Sequence, residues 1–261
     1  MSRPIVTLTT DFGTADAYVG TMKGVLLGLC PQAGLIDITH EVRPQAVRQA
    51  AYLLSTATPF FPPGTVHLAV VDPGVGSARR AVAVQTGRAT FVAPDNGVLT
   101  LALAHDPPRL AVTLTNPDYH LPQVSATFHG RDVFAPAAAH LACGTDPRDL
   151  GEQIPVSRLV RLPSLEPRRR PDGTWQGEVL HIDRFGNLVT NVQGTMPNTQ
   201  CTVEIAGQCI TNLSQTFADV ASGDLLAYVG SSGYLEIAVR EGSAAAHLGV
   251  DVGAPIEVRA W

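Results

Sequence analysis

Two stretches concentrate ionisable side chains at the ends of apolar runs. In AVVDPGVGSARR (residues 69–80) an apolar segment ends at Asp72, followed by Pro73, two glycines and the pair Arg79 and Arg80. In TFHGRDVFAPAAAHL (residues 127–141) His129, Arg131 and Asp132 open an alanine-rich apolar segment. A plain solvated surface has no need of charge at these places, whereas a ligand site does. Pro73 stiffens the turn that presents Asp72, and Gly74 and Gly76 permit close backbone approach or positive φ. Asp72, His129 and Asp132 are also metal-ligand types, but no HExxH-like spacing supports such a centre. Each residue has a plainer reading. Asp-Pro-Gly is ordinary turn chemistry, adjacent arginines are commonly solvated, a single histidine is commonly structural, and Asp132 can serve a helix dipole in a first turn. Taken alone, these residues define a polar site and no reaction.

The elements that carry them alternate. IVTLTT (5–10) is a β-branched strand ending at the turn Asp11-Phe12-Gly13. Residues 16–29 read as a helix with Val19, Met22, Leu26 and Leu29 on one face. LIDITH is a second strand, and Pro44 is placed to open a helix whose apolar face holds Ala51, Leu53 and Leu54. TVHLAVV (65–71) is apolar nearly throughout, as a strand covered on both faces should be. AVAVQTGRATFVAPDNG reads as a hairpin turning at Thr86-Gly87, RLAVTLT as a further strand, and residues 131–142 as a helix. Asp11 and Asp72 then both fall at carboxyl ends of strands, where open α/β sheets bind ligands. His129 lies just ahead of a helix.

Residues 161–175, RLPSLEPRRRPDGTW, carry three prolines and an arginine cluster without periodicity and read as a linker. Beyond them GEVLHI, NLVTNV, CTVEIA, LLAYVG, YLEIAV and IEVRAW are short strands between Gly, Asn and Asp turns. The expected architecture is an α/β domain over 1–165 with a largely parallel or mixed sheet, followed by a smaller all-β, barrel-like domain over 174–261.

The net charge of −5 gives no electrostatic reason to expect nucleic acid or an anionic membrane as partner. No segment approaches the roughly 20 apolar residues that span a bilayer. The apolar run of MSRPIVTLTTDFG is too short for a signal peptide, so a cytoplasmic protein is expected. Cys30, Cys143, Cys201 and Cys209 form no CxxC pair and read as reduced thiols, mostly in the core. Familiar motifs are missing: there is no GxxxxGK[ST] loop and no GxGxxG fingerprint in context. VGSSG (229–233) has only the outline of a GxSxG elbow, in a β-rich part with no helix following.

Six stretches in register, LTTDFGTADAYVGTMKG, VVDPGVGSARR, APDNG, TFHGRDVFAPAAAHL, IDRFGNLVTN and SSGYLEIAV, closely resemble the S-adenosyl-L-methionine (SAM) hydroxide adenosyltransferases. These SAM hydrolases are relatives of the fluorinase and chlorinase enzymes. The resemblance runs nearly end to end. It implies a homotrimer with sites between the N-terminal domain of one subunit and the C-terminal domain of the next. The implied reaction converts SAM and water to adenosine and L-methionine, with no cofactor and no metal. Asp72, Arg79 and His129 match the family's water-handling set. Asp11 matches its ribose-binding aspartate, and Asp16 the residue facing the methionine amine. Phe185 and Asn187 match adenine contacts, and Asp183 and Ser231 methionine-end contacts.

That chemistry is physically sensible. Displacement at the 5′ carbon expels a neutral thioether, so the leaving group needs no acid. The site has to align and partly deprotonate one water. A divalent cation would sit unfavourably beside a sulfonium. Two other readings are a SAM-dependent halogenase and a non-catalytic SAM or adenosine sensor. The halogenating relatives lack the Asp-Arg-His set, and its presence here favours water. Arg80 and Arg131 stay open, as shapers of the site or as partners of Asp132.

Overall fold

Every residue of Thr65–Val70 is buried, as a strand covered on both faces requires. In the computed structural model, which describes residues 3–163, 165–194 and 200–260, this segment is β3, near the middle of a seven-stranded sheet. Its companions are β1 (Ile5–Thr10), β2 (Gly34–Thr39), β4 (Ala81–Gln85), β5 (Ala89–Pro94), β6 (Leu110–Thr113) and β7 (Gln153–Ile154), in the order β2-β1-β3-β5-β4-β6-β7. The pairs β1–β2, β1–β3 and β3–β5 are parallel. The pairs β4–β5, β4–β6 and β6–β7 are antiparallel, so the expected 81–97 hairpin forms and the sheet is mixed.

One face of the sheet packs Val6, Leu8, Val66 and Leu68 against Met22 and Leu26 of α1 (Tyr18–Leu29) and the alanines of α4 (Ala135–Ala142). The other packs Ala69, Val71, Val84 and Phe91 against Ala50 and Leu54 of α2 (Val47–Ala57) and Leu103 of α3 (Ala102–His105). Three details depart from the sequence reading. Leu29 is 41% exposed at the C-terminal end of α1, whereas Val19, Met22 and Leu26 are buried as expected. Pro44 does not open α2, because Gln45 follows it at φ 65°, and the helix begins only at Val47. Cys30 and Cys143 are not reduced thiols. They form a disulfide joining the C-terminal ends of α1 and α4, with Cα atoms 6.0 Å apart. Partners separated by 113 residues leave no local spacing to read. Of the two free cysteines, Cys201 is buried and Cys209 exposed.

The chain divides at Leu162/Pro163 into two compact units. The second holds β8 (Arg168–Arg169), β9 (Trp175–Ile182), β10 (Leu188–Gln193), β11 (Cys201–Ile205), β12 (Gln208–Thr211), β13 (Leu225–Val229), β14 (Tyr234–Val239) and β15 (Pro255–Ala260). All pairs are antiparallel, in the order β12-β11-β15-β9-β10-β14-β13. The two ends approach where Ser214 N donates to Ala227 O at 2.8 Å, so the sheet is a nearly closed barrel around Val179, Leu188, Val203, Ile237 and Val258. The fold class is the expected one. The stretch read as a linker contains β8, which pairs with β9 and sets Arg169 over the Trp175 ring. Among the described residues no helix is long and apolar enough to cross a membrane.

A histidine in β3 ties this core to pH. His67, 1% exposed, lies between the rings of Phe61 and Phe91 with Nδ1 2.8 Å from Thr7 Oγ1. Burial pushes its pKa from 6.5 down to about 4. Above the unfolded-state value neither state binds the proton. As pH falls through that window only the unfolded chain binds it, and stability drops by up to about 3 kcal/mol before levelling. Urea melts of His67→Gln should show a flatter acid limb than the parent protein. Parallel limbs would remove His67 as the cause.

Candidate active site

Asp72 leaves the carboxyl end of β3 two residues after Val70, and its backbone oxygen accepts Val75 N at 3.2 Å in a turn. The chain then doubles back to Arg79, whose Nε lies 2.9 Å from both Asp72 carboxylate oxygens. One terminal nitrogen of Arg79 makes a further short contact to Asp72 Oδ2 and lies 3.0 Å from His129 Nδ1. The arginine side chain is 11% exposed and the aspartate 5%. A guanidinium has donors only, so Nδ1 of His129 must accept and the imidazole proton resides on Nε2. The face of Phe134 lies 5.1 Å from the guanidinium carbon and closes its other side. Asp72, Arg79 and His129 are therefore one hydrogen-bonded group.

Two loops must meet to make that group. The segment from Gly130 to Phe134 is a single π-type turn leading into α4, with His129 just ahead of it. Asp132, wholly buried, fixes the preceding loop: its Oδ2 accepts Ser125 N and Oγ at 2.8 and 2.7 Å, and its Oδ1 accepts Arg131 Nε at 2.5 Å. Burial alone would raise this carboxyl, but the hydrogen bonds from Arg131 and Ser125 outweigh it and hold it below the usual range. Asp132 is thus committed to Arg131 and Ser125, which leaves it no part in a shared centre with Asp72 and His129. Arg80 turns to Asp95 of the APDNG stretch, with Nε 2.8 Å from Oδ2, and does not touch Asp132. Among the described residues no three His, Cys, Asp or Glu side chains are grouped to hold a metal ion.

The first strand adds Asp11, whose Oδ2 accepts Gln45 N at 2.7 Å. Asp16 is exposed in the turn before α1 and lies outside the hydrogen-bonded group. An aromatic cluster that sequence reasoning missed occupies the same edge of the sheet. Phe12, Tyr18 and Phe128 meet with ring centroids 5.2–5.9 Å apart. A Cβ on Gly130 would come within 3.2 Å of Phe128 and 3.5 Å of Phe12. Three rings, two of them more than a hundred residues from the third, carry no periodic signal; the aromatic residues next to Asp11 and His129 are the only hint.

In the second unit, Asp183, Phe185 and Asn187 share one turn after β9. Asp183 Oδ1 accepts Phe185 N and Asn187 N at 2.8 and 2.9 Å, and Oδ2 accepts Asn187 Nδ2 at 2.9 Å. Asn187 is buried and Phe185 is 76% exposed at the tip. Ser231 is exposed in the β13–β14 hairpin. Below that hairpin lies Glu236, a residue the sequence did not single out. Burial raises its pKa, Tyr228 donates to it at 2.5 Å, and its carboxylate would collide with any Cβ on Gly230.

Comparison with known proteins gives the family. The family model for the SAM hydroxide adenosyltransferase N-terminal domain matches residues 6–151, and that for the C-terminal domain residues 177–257. The chain belongs to the SAM hydroxide adenosyltransferase family. It is 47% identical to the (R)-S-adenosyl-L-methionine hydrolase of Thermus thermophilus, over 98% of this chain and 99% of that one. A fluorinase of Actinopolyspora mzabensis is more distant, 28% identical over 98% and 97%. The crystal structure of an uncharacterized conserved protein from Thermotoga maritima superposes with a TM-score of 0.89 at 38% identity, covering 97% of this chain and 99% of that one.

Within this adenosyltransferase Gly76 is the residue that lets the two loops touch. It sits at φ 77°, and a Cβ there would lie 2.7 Å from the Ala126 carbonyl oxygen. Gly76→Ala should cost about 1–3 kcal/mol in urea melts and lower turnover beyond what the unfolded fraction explains. Full activity in a correctly folded variant would show that the loop contact is dispensable.

Proposed function

We propose that this protein hydrolyses S-adenosyl-L-methionine to adenosine and L-methionine, with Asp72, Arg79 and His129 handling the attacking water. The observation that carries the reading is the shared guanidinium: Arg79 donates to both Asp72 and His129 in a chain 47% identical to a curated hydrolase of this substrate. Water oxygen attacks the 5′ carbon, the C5′–S bond breaks with its electron pair passing to sulfur, and one proton leaves the water. Arg79 occupies His129 Nδ1, and Nε2 carries a hydrogen, so the imidazole faces the reaction as a donor. Asp72 keeps lone pairs beyond those given to Arg79 and is the acceptor for the water proton. The relatives are named for the R form of the substrate, and we assign this chain the same sulfonium configuration.

Substrate contacts follow the family resemblance. Asp11 takes the ribose hydroxyls and Asp16 the methionine amine. The exposed ring of Phe185 stacks on adenine beside Asn187, and Asp183 and Ser231 serve the methionine end. The same resemblance supports a homotrimer, which light scattering would test. A cytoplasmic setting fits a substrate made and used inside cells, although the Cys30–Cys143 disulfide weighs against a strongly reducing compartment.

Two measurements test the reaction. In ¹⁸O-labelled water containing chloride, the expected product is adenosine labelled at its 5′ oxygen together with methionine. A 5′-chloro nucleoside would mean halogenation, and unconverted R and S substrate would favour a sensor. Asp72→Ala would strand a buried arginine at a cost of about 3–5 kcal/mol, so Asp72→Asn is the informative variant. It should lower kcat by roughly 10²–10⁴-fold with adenosine affinity kept; unchanged kcat would take Asp72 out of the mechanism.

A further inference from the structure

The turn carrying Asp11 rests against one buried histidine that the proposed reaction does not use. His40, 5% exposed, follows β2. Its Nδ1 lies 2.9 Å from Thr10 Oγ1, and that oxygen accepts Phe12 N at 3.3 Å. The backbone oxygen of His40 accepts Gly13 N at 2.8 Å. Thr10, Phe12 and Gly13, the residues around Asp11, are thus all tied to His40 directly or through one atom. On the far side of the ring, Nε2 lies 3.0 Å from Asp37 Oδ1. Asp37 Oδ2 in turn takes Lys23 Nζ at 2.6 Å. Lys23 of α1 and Asp37 of β2 thus lie beside the imidazole.

We infer that His40 is the positioning residue for Asp11, setting its carboxylate for the ribose hydroxyls through Thr10 and the 10–13 turn. This rests on the reading of Asp11 as the ribose-binding residue. The geometry favours a specific role over generic packing. A carboxylate that grips two neighbouring hydroxyls must be held to about half an ångström. Gln45 N anchors only Oδ2 of Asp11, so the backbone on either side has to fix the rest. A hydrophobic residue at position 40 would fill the space but give Thr10 no partner to orient its hydroxyl toward Phe12 N.

The test compares affinity for adenosine with affinity for 2′,3′-dideoxyadenosine by calorimetry on the full chain. His40→Ala should weaken adenosine by about 10-fold while leaving the dideoxy ligand unchanged. His40→Asn, whose amide reaches the Thr10 hydroxyl where Nδ1 stood, should restore most of the loss. Equal weakening of both ligands in His40→Ala, or no weakening, overturns the inference. Asp11→Ala separates the two ideas. If it abolishes discrimination between the ligands while His40→Ala keeps it, only the role of His40 falls. If Asp11→Ala keeps the discrimination, the ribose reading falls and this inference with it. Should thermal melts show His40→Ala unfolded, Thr10→Val decides, since it removes the same link from the other end. It must lower the adenosine preference, and an unchanged ratio overturns the inference.

Discussion

A guanidinium that is 11% exposed has to find acceptors for its donors or remain in water. Arg79 finds them on Asp72, at the end of β3, and on His129, ahead of the π-type turn into α4. Phe134, from the end of that turn, covers the remaining face. One cation therefore fixes a strand end, the return loop between β3 and β4 and a helix entry relative to one another. Neighbouring choices follow from it. Gly76 lets the return loop reach the Ala126 carbonyl, and Asp132 freezes the 121–128 loop by accepting Ser125 and Arg131. Asn96 holds the Val71 carbonyl at 2.8 Å immediately before Asp72.

The bland and the functional readings of these residues turn out to be compatible. Asp72 does close a turn, through its backbone oxygen, while its side chain holds Arg79. Asp183 does organise its own loop, accepting three hydrogen bonds within five residues, and thereby presents Phe185 at the tip. A short polar side chain can satisfy the local backbone and still expose lone pairs to a ligand. Turn chemistry at a strand end is therefore no argument against a site there.

The parts of this architecture that were legible in the sequence are those governed by local periodicity. The fully apolar 65–71 run, the hairpin turning at 86–87 and six of the eight strands of the second unit each declare themselves within ten residues, whereas the short β12 and β8 do not. The unread parts depend on distance in sequence. The Cys30–Cys143 disulfide, the Phe12–Tyr18–Phe128 cluster and the choice of Asp95 over Asp132 by Arg80 are set by which loops the sheet order brings together. β8 was hidden differently: arginines and prolines suggest a linker, but Arg169 lies over Trp175 and a neighbouring Arg170 pairs with Glu257 at 2.9 Å. Long basic side chains can cover a barrel as well as solvate a tether.

The proposed choice of water over halide follows from the charges of the same three residues. A halide pocket needs donors without an adjacent anion, because a carboxylate a few ångströms away repels the ion it should concentrate. Here Nε and one terminal nitrogen of Arg79 are already taken by Asp72 and by an imidazole nitrogen, and Asp72 keeps its own lone pairs within the group. A neutral, dipolar nucleophile suits such a place: it can donate to Asp72 and accept from the Nε2 hydrogen of His129. In the proposed reaction Asp72 holds the water on the face of the 5′ carbon opposite the sulfur. Positive charge disappears from the substrate as the C5′–S bond breaks and a proton is released toward that carboxylate. In the proposed reaction the acceptor of that proton is the same carboxylate that holds Arg79.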